Sequence, residues 1–171
     1  MNRVNLKEQV FNLVALLVIQ IPLLYRITLF DSAFAFFYVG FLIFLPFSLT
    51  RTYLLLIGFL SGLTIDVFSN TPGIHAFACV LIMYVRNNWL QLVYDDVDEL
   101  ININHVSLGA TTLTVFVFPI IFLHHLTIFS LENGGFHLFG LLITKVFLST
   151  IFSFIVIFIL NYLIAPKARR I

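Results

Sequence analysis

One carboxylate, Asp66, stands inside the apolar stretch 54–86, LLLIGFLSGLTIDVFSNTPGIHAFACVLIMYVR. An acid in a helix otherwise suited to hydrocarbon is costly, so by default it marks a site. Lys145 is the other formally charged residue within an apolar run. Counting back about 20 residues from Pro166 puts Lys145 near the outer membrane boundary, at a depth similar to that of Asp66. An Asp66–Lys145 pair would satisfy both groups, because a paired buried charge costs far less than a lone one. Two other arrangements stay open. Lys145 snorkels outward alone, or Asp66 is protonated or capped by Asn70 and the backbone of the turn 69–73.

His124, His125, Glu132 and His137 gather around one turn and invite a metal reading. Zinc needs three or four converging ligands. Adjacent residues on a helix point about 100° apart, so His124 and His125 cannot easily serve one ion. Interfacial histidines are the expectation, with no metal and no cofactor. His75 either caps the turn before it or neighbours Asp66, and His105 opens a helix from the cytoplasmic side. Asp95, Asp96, Asp98 and Glu99 lack the glycine and spacing of a calcium loop. No nucleophile–base arrangement or phosphate loop is visible, so the expectation is a protein with no catalytic residues. A proton pathway would carry ionisable groups through several helices; with only Asp66 and Lys145 qualifying, that class is disfavoured too.

These residues must be positioned by membrane helices. Apolar residues form 61% of the 171-residue chain and charged residues 10%, against about 45–50% and about 25% in soluble domains. The single cysteine, Cys79, permits no intramolecular disulfide. Six apolar segments follow one another at about 10–25, 33–49, 53–68, 74–85, 106–129 and 138–164, predicting a single all-α domain over 1–171 with six transmembrane helices. The first segment follows Arg3 and Lys7 as in a signal peptide, but no small-residue cleavage site follows, so an uncleaved helix is expected. With a cytoplasmic amino terminus, Arg3, Lys7, Arg51, Arg86, Lys167, Arg169 and Arg170 all fall on the inner side and only Arg26 outside. That bias predicts both termini in the cytoplasm.

Between the fourth and fifth segments lies the one sizeable polar stretch, 86–105. On a helical projection Trp89, Leu90, Val93, Val97, Leu100 and Ile101 share a face, opposite Gln91, Asp95, Asp98 and Glu99. An amphipathic segment along the inner membrane surface is predicted. Its acidic face suits a basic protein surface better than anionic lipid, and a merely solvated loop is the plainer alternative. Gly58, Ser61 and Gly62 form a small-residue seam that lets a second helix approach closely. The seam is expected to serve this chain's own bundle rather than a partner.

The run Gly58-Phe59-Leu60-Ser61-Gly62-Leu63-x-x-Asp66, then Pro72-Gly73-Ile74-His75-Ala76-Phe77 and a helix ending in Tyr84-Val85-Arg86, resembles the rod shape-determining MreD family. The six-helix layout, the length and the short basic tail are similar as well. The resemblance implies a non-enzymatic inner-membrane subunit of the bacterial cell-wall elongation machinery. Its partners would be a bitopic MreC-like protein, the MreB filament indirectly, and the wall synthase of RodA and a class B penicillin-binding protein. Nucleic acid is not among them. Gly58, Gly62, Asp66, Pro72, Gly73 and His75 match the family's recurrent motif, with a structural or partner-facing role implied. The family's bundle also looks like the substrate-binding components of energy-coupling-factor vitamin transporters. A small-molecule-binding transporter subunit is therefore the alternative, with Asp66 and Lys145 lining an outward pocket.

Overall fold

The computed structural model of the chain describes residues 28–29, 33–34, 36–93, 110–136 and 138–164. Two short strands, β1 (Thr28–Leu29) and β2 (Ala33–Phe34), pair antiparallel. Five helices follow: α1 (Phe37–Ile43), α2 (Arg51–Ser69), α3 (Ile74–Val93), α4 (Ala110–Glu132) and α5 (Phe139–Ile164). Among the described residues, four stretches are long and apolar enough to cross a membrane: Arg51–Ser69, Ile74–Val93, Thr114–Glu132 and Phe139–Ile159. The exposed side chains of α2 include Tyr53, Leu56, Phe59, Leu60, Leu63, Val67 and Phe68. Such an outside is suited to hydrocarbon rather than water. This is an α-helical membrane protein.

Successive long helices pack in chain order, α2 on α3, α3 on α4 and α4 on α5. The predicted segment 33–49 departs from expectation. It is not one helix but β2, the seven-residue α1 and a turn, lying among α3, α4 and α5. Tyr38, Val39, Leu42 and Ile43 are fully buried there. One end of this segment lies beside the α4–α5 turn, where Phe34 packs on Phe129. The other lies beside Arg86, whose guanidinium sits 4.3 Å above the Phe47 ring. It therefore traverses the bundle as a broken segment. The six-helix count is corrected accordingly: four membrane-length helices and one broken crossing are seen among the described residues. The predicted helix 10–25 lies outside them.

Broken backbone is tolerated at membrane depth only where protein groups satisfy its N–H and C=O. Here α5 and α3 supply them. The Phe34 N–H donates to Ser149 Oγ at 3.0 Å and the Phe36 N–H to Ser153 Oγ at 3.1 Å. At the far end Arg86 Nε donates to the Ile43 carbonyl at 2.7 Å, and an Arg86 terminal nitrogen donates to the Leu45 carbonyl.

Helix α3 runs on to Val93, well past the expected end at 85. Residues 86–93 thus continue a membrane-length helix and do not start a surface-lying segment; Leu90 is buried in the core. Inside α4, Pro119 has no N–H to give the Val115 carbonyl. Trp89 Nε1 of α3 donates to that carbonyl at 3.2 Å. Other polar residues of the spans bond backward within their own helix, Thr64 to Leu60, Thr127 to Leu123 and Ser130 to Leu126. Such bonding satisfies a hydroxyl in hydrocarbon without a partner helix.

Candidate functional site

The turn 69–73 brings the sequence motif together. Helix α2 ends at Asn70, which adopts a left-handed conformation (φ 54°). The Asp66 carbonyl accepts from the Asn70 N–H and, at 3.2 Å, from the Thr71 N–H. Pro72 and the positive-φ Gly73 (φ 84°) then reverse the chain into α3. The Asp66 carboxylate closes the other side of the same turn. Its Oδ1 accepts from the His75 N–H at 2.9 Å, from Thr71 Oγ1 at 2.9 Å and from His75 Nδ1 at 3.0 Å. Its Oδ2 accepts from the Ala76 N–H at 2.9 Å.

The first N–H groups of a helix have no intrahelical partner and carry partial positive charge. Asp66 therefore caps α3 from a neighbouring helix, and a single residue joins the end of α2 to the start of α3. A carboxylate accepting four bonds is occupied, which makes it an anchor rather than a free base. Placing the proton on His75 Nδ1 suits both neighbours, since Thr71 Oγ1 also lies 3.0 Å from that nitrogen.

The seam lies one turn further back. A Cβ on Gly62 would stand 2.4 Å from the His75 carbonyl oxygen and 2.5 Å from Ala76 Cα. On Gly58 it would meet Met83 Cγ at 2.8 Å and the Cys79 carbonyl at 3.1 Å. Ser61 is buried beside them. Gly58 and Gly62 thus face α3 of the same chain and let the backbones approach until the Asp66 carboxylate reaches the α3 terminus.

Lys145 is not Asp66's partner. Its ammonium lies 3.6 Å from Glu132 Oε2 and over the rings of Phe129 (4.3 Å) and Phe34 (4.9 Å). Of the arrangements left open, the pair is not the one formed: Asp66 finds its donors at Thr71, His75 and Ala76, while Lys145 faces the α4–α5 turn. The capped arrangement comes nearest, with the backbone donors at His75 and Ala76 rather than at Asn70 and the turn 69–73.

The histidines are corrected as well: His124 and His125 are fully buried, not interfacial. They point apart as adjacent helical residues must, and each finds its own partner. His124 Nε2 lies 2.9 Å from the Tyr38 hydroxyl, with Cys79 Sγ 3.9 Å from the same oxygen. His125 Nδ1 bonds to the Ile121 carbonyl at 2.8 Å, and its Nε2 lies 3.2 Å from Ser153 Oγ. The Phe36 ring stands among them, with centroid distances of 5.7 Å to His75, 5.8 Å to His124 and 5.2 Å to His125.

Among the described residues no three histidine, cysteine or acidic side chains converge as metal ligands. Cys79 and His124, 4.0 Å apart, are nucleophile and base by type, yet both are sealed from any substrate. Three buried polar atoms, Ser61 Oγ, His124 Nδ1 and Thr150 Oγ1, have no hydrogen-bond partner among the described residues.

Arg86 is what the sequence reading misplaced. Counted as a cytoplasmic flanking charge, it is fully buried and holds the end of α1. Its position inside a span, seven residues before the end of α3, becomes visible only once that helix is seen to continue. The acidic residues Asp95, Asp96, Asp98 and Glu99 and His137 lie outside the described residues. Comparison with family models, with characterised proteins and with solved structures found no match.

Proposed function

We propose that this protein is a non-enzymatic scaffold subunit of the cell-wall elongation machinery in the bacterial inner membrane, as its resemblance to the MreD family implies. One observation carries the non-enzymatic part: the buried polar side chains that invite chemistry serve the fold instead. Asp66 caps a helix, Arg86 and Ser153 hold the broken segment, and the His124–Cys79 pair has no route to solvent. Apolar outer faces remain for recognition, among them that of α2, where Tyr53, Leu56, Leu60, Leu63 and Val67 are exposed. An apolar helix face of this kind suits a single-pass helix such as that of a bitopic MreC-like protein. The acidic stretch Asp95–Glu99 would add a cytoplasmic contact. RodA and a class B penicillin-binding protein would join directly or through MreC, and the MreB filament indirectly. In this reading the chain is one domain whose first apolar segment, 10–25, is a further span, with both termini cytoplasmic.

A second reading has one observation in its favour. Discontinuous segments buried in a helical bundle often build the substrate sites of transporters, and β2–α1 is such a segment. Native mass spectrometry of the tagged protein, gently extracted from its own membranes, separates the two. Recovery with an MreC-like protein and synthase subunits is expected. Recovery with an ATPase-linked membrane subunit or a vitamin-sized molecule would replace the scaffold with a transporter subunit.

A further inference from the structure

At the α4–α5 turn the bundle has a cavity of about 360 Å³. Glu132 and Lys145 line it, together with Phe129 and the leucines Leu138 and Leu141. The geometry points to a binding site here for a zwitterionic phospholipid with a primary ammonium headgroup, its phosphate on Lys145 and its ammonium on Glu132.

Three features carry this. First, the two charges lie side by side at 3.6 Å with about a third of each side chain exposed. That separation exceeds a charge-assisted hydrogen bond of about 2.7–2.9 Å, so donors on the ammonium and acceptors on the carboxylate remain open to a ligand. Second, the Phe34 and Phe129 rings lie under the Lys145 ammonium and hold it at the cavity. Third, the apolar surface continues from the cavity along the membrane. Leu141, Leu148, Ile151, Ile155 and Ile159 of α5 are all exposed, and spacings of seven, three, four and four residues keep them on one helix face. A headgroup at the turn would lay an acyl chain along that stripe. Leu138, 71% exposed, is held at the rim with a positive φ of 52°, a conformation that is costly for leucine.

Charge balance selects the headgroup. An anionic phosphatidylglycerol would bring only negative charge, leaving Glu132 facing it without compensation. A phosphatidylcholine carries no N–H to donate to the carboxylate. Phosphatidylethanolamine supplies both charges and the donor. This inference does not rest on the scaffold reading.

The test is native mass spectrometry of the full chain released from nanodiscs containing equal amounts of phosphatidylethanolamine, phosphatidylcholine and phosphatidylglycerol. Preferential retention of phosphatidylethanolamine is expected. Lys145→Gln and Glu132→Gln should each reduce that retention by about tenfold, the effect expected of one charge-assisted hydrogen bond. Continued protection of buried Cys79 from a thiol reagent reports that each variant is folded. Should either fail that check, Leu141→Trp, at an exposed position, blocks the cavity mouth without touching the charges and should lower retention alike. Equal or greater retention of phosphatidylglycerol, no retained lipid, or retention unaltered in the folded variants would overturn the site. Competition by free phosphoethanolamine at equal concentration would overturn the lipid assignment.

Discussion

Arg86 Nε donates to the carbonyl of Ile43 across 2.7 Å, in the protein interior. The two residues are 43 positions apart, and the bond ties the middle of α3 to the last turn of α1. Without it, the Ile43 and Leu45 carbonyls would have to find other donors in an apolar interior. A charged group is used here because a fork of N–H donors can serve two carbonyls at once.

Arg86→Met is therefore expected to destabilise the protein by about 3 kcal/mol, the scale of leaving buried carbonyls unsatisfied. Thermal unfolding in detergent measures it. Arg86→Lys should recover only part of the loss, because a point charge cannot reproduce the fork. A melting temperature unchanged in Arg86→Met would remove the structural role argued for this residue.

Asp66→Ala should cost about 2 kcal/mol, the upper range for a lost helix cap, and release the amides of His75 and Ala76 to hydrogen exchange. Asp66→Asn keeps one acceptor oxygen and should fall between. Because the carboxylate also meets Thr71 and His75, the largest change in exchange is expected at the α2–α3 turn. Protection at His75 and Ala76 equal to wild type in the alanine variant would contradict the cap.

Three glycine-to-alanine changes should rank by what the new methyl meets. At Gly62 it meets helix backbone at 2.4–2.6 Å, which cannot give way without separating α2 from α3. A loss of about 3 kcal/mol is expected, near the top of the usual range for overpacking. At Gly58 the nearest atom belongs to the flexible Met83 side chain, so the loss should be smaller. At Gly140 nothing lies within 4 Å, and alanine should be neutral or slightly stabilising. Equal unfolding temperatures for all three would refute the close seam.

Cys79 is the chain's one cysteine and is fully buried. Labelling by a maleimide in mild detergent should be slow in the native protein and fast after denaturation. Rapid native labelling would mean that α3 does not pack as described.

The long apolar runs made the four spanning helices legible, because hydrocarbon tolerates little else over about 20 residues. Asp66 was legible as a costly residue, and the small-residue seam as a close contact. The partners were less so. Hydropathy is the same for 33–49 whether the chain is one helix or a strand, a short helix and a turn, so the break at 44–50 was marked only by Pro46, which lacks the N–H that a continuing helix needs. A second clue lay in donors such as Arg86, Ser149 and Ser153 that an unbroken helix would not need. Counting arginines by side treats each as a flank, and that assumption hid Arg86. The separate roles of His124 and His125 followed from their helical angle, but their burial did not.

The serine contacts to β2 and to Phe36 span 115 and 117 residues of sequence. During synthesis, the early segment that ends up in the middle of the bundle emerges long before Ser149 and Ser153 are made. The N–H groups of Phe34 and Phe36 then have no permanent partners while α2, α3 and α4 enter the membrane. Closure of the interior must await translation of the last helix, so a chain that stops before α5 would present an unfinished crossing to the cell's quality-control proteases.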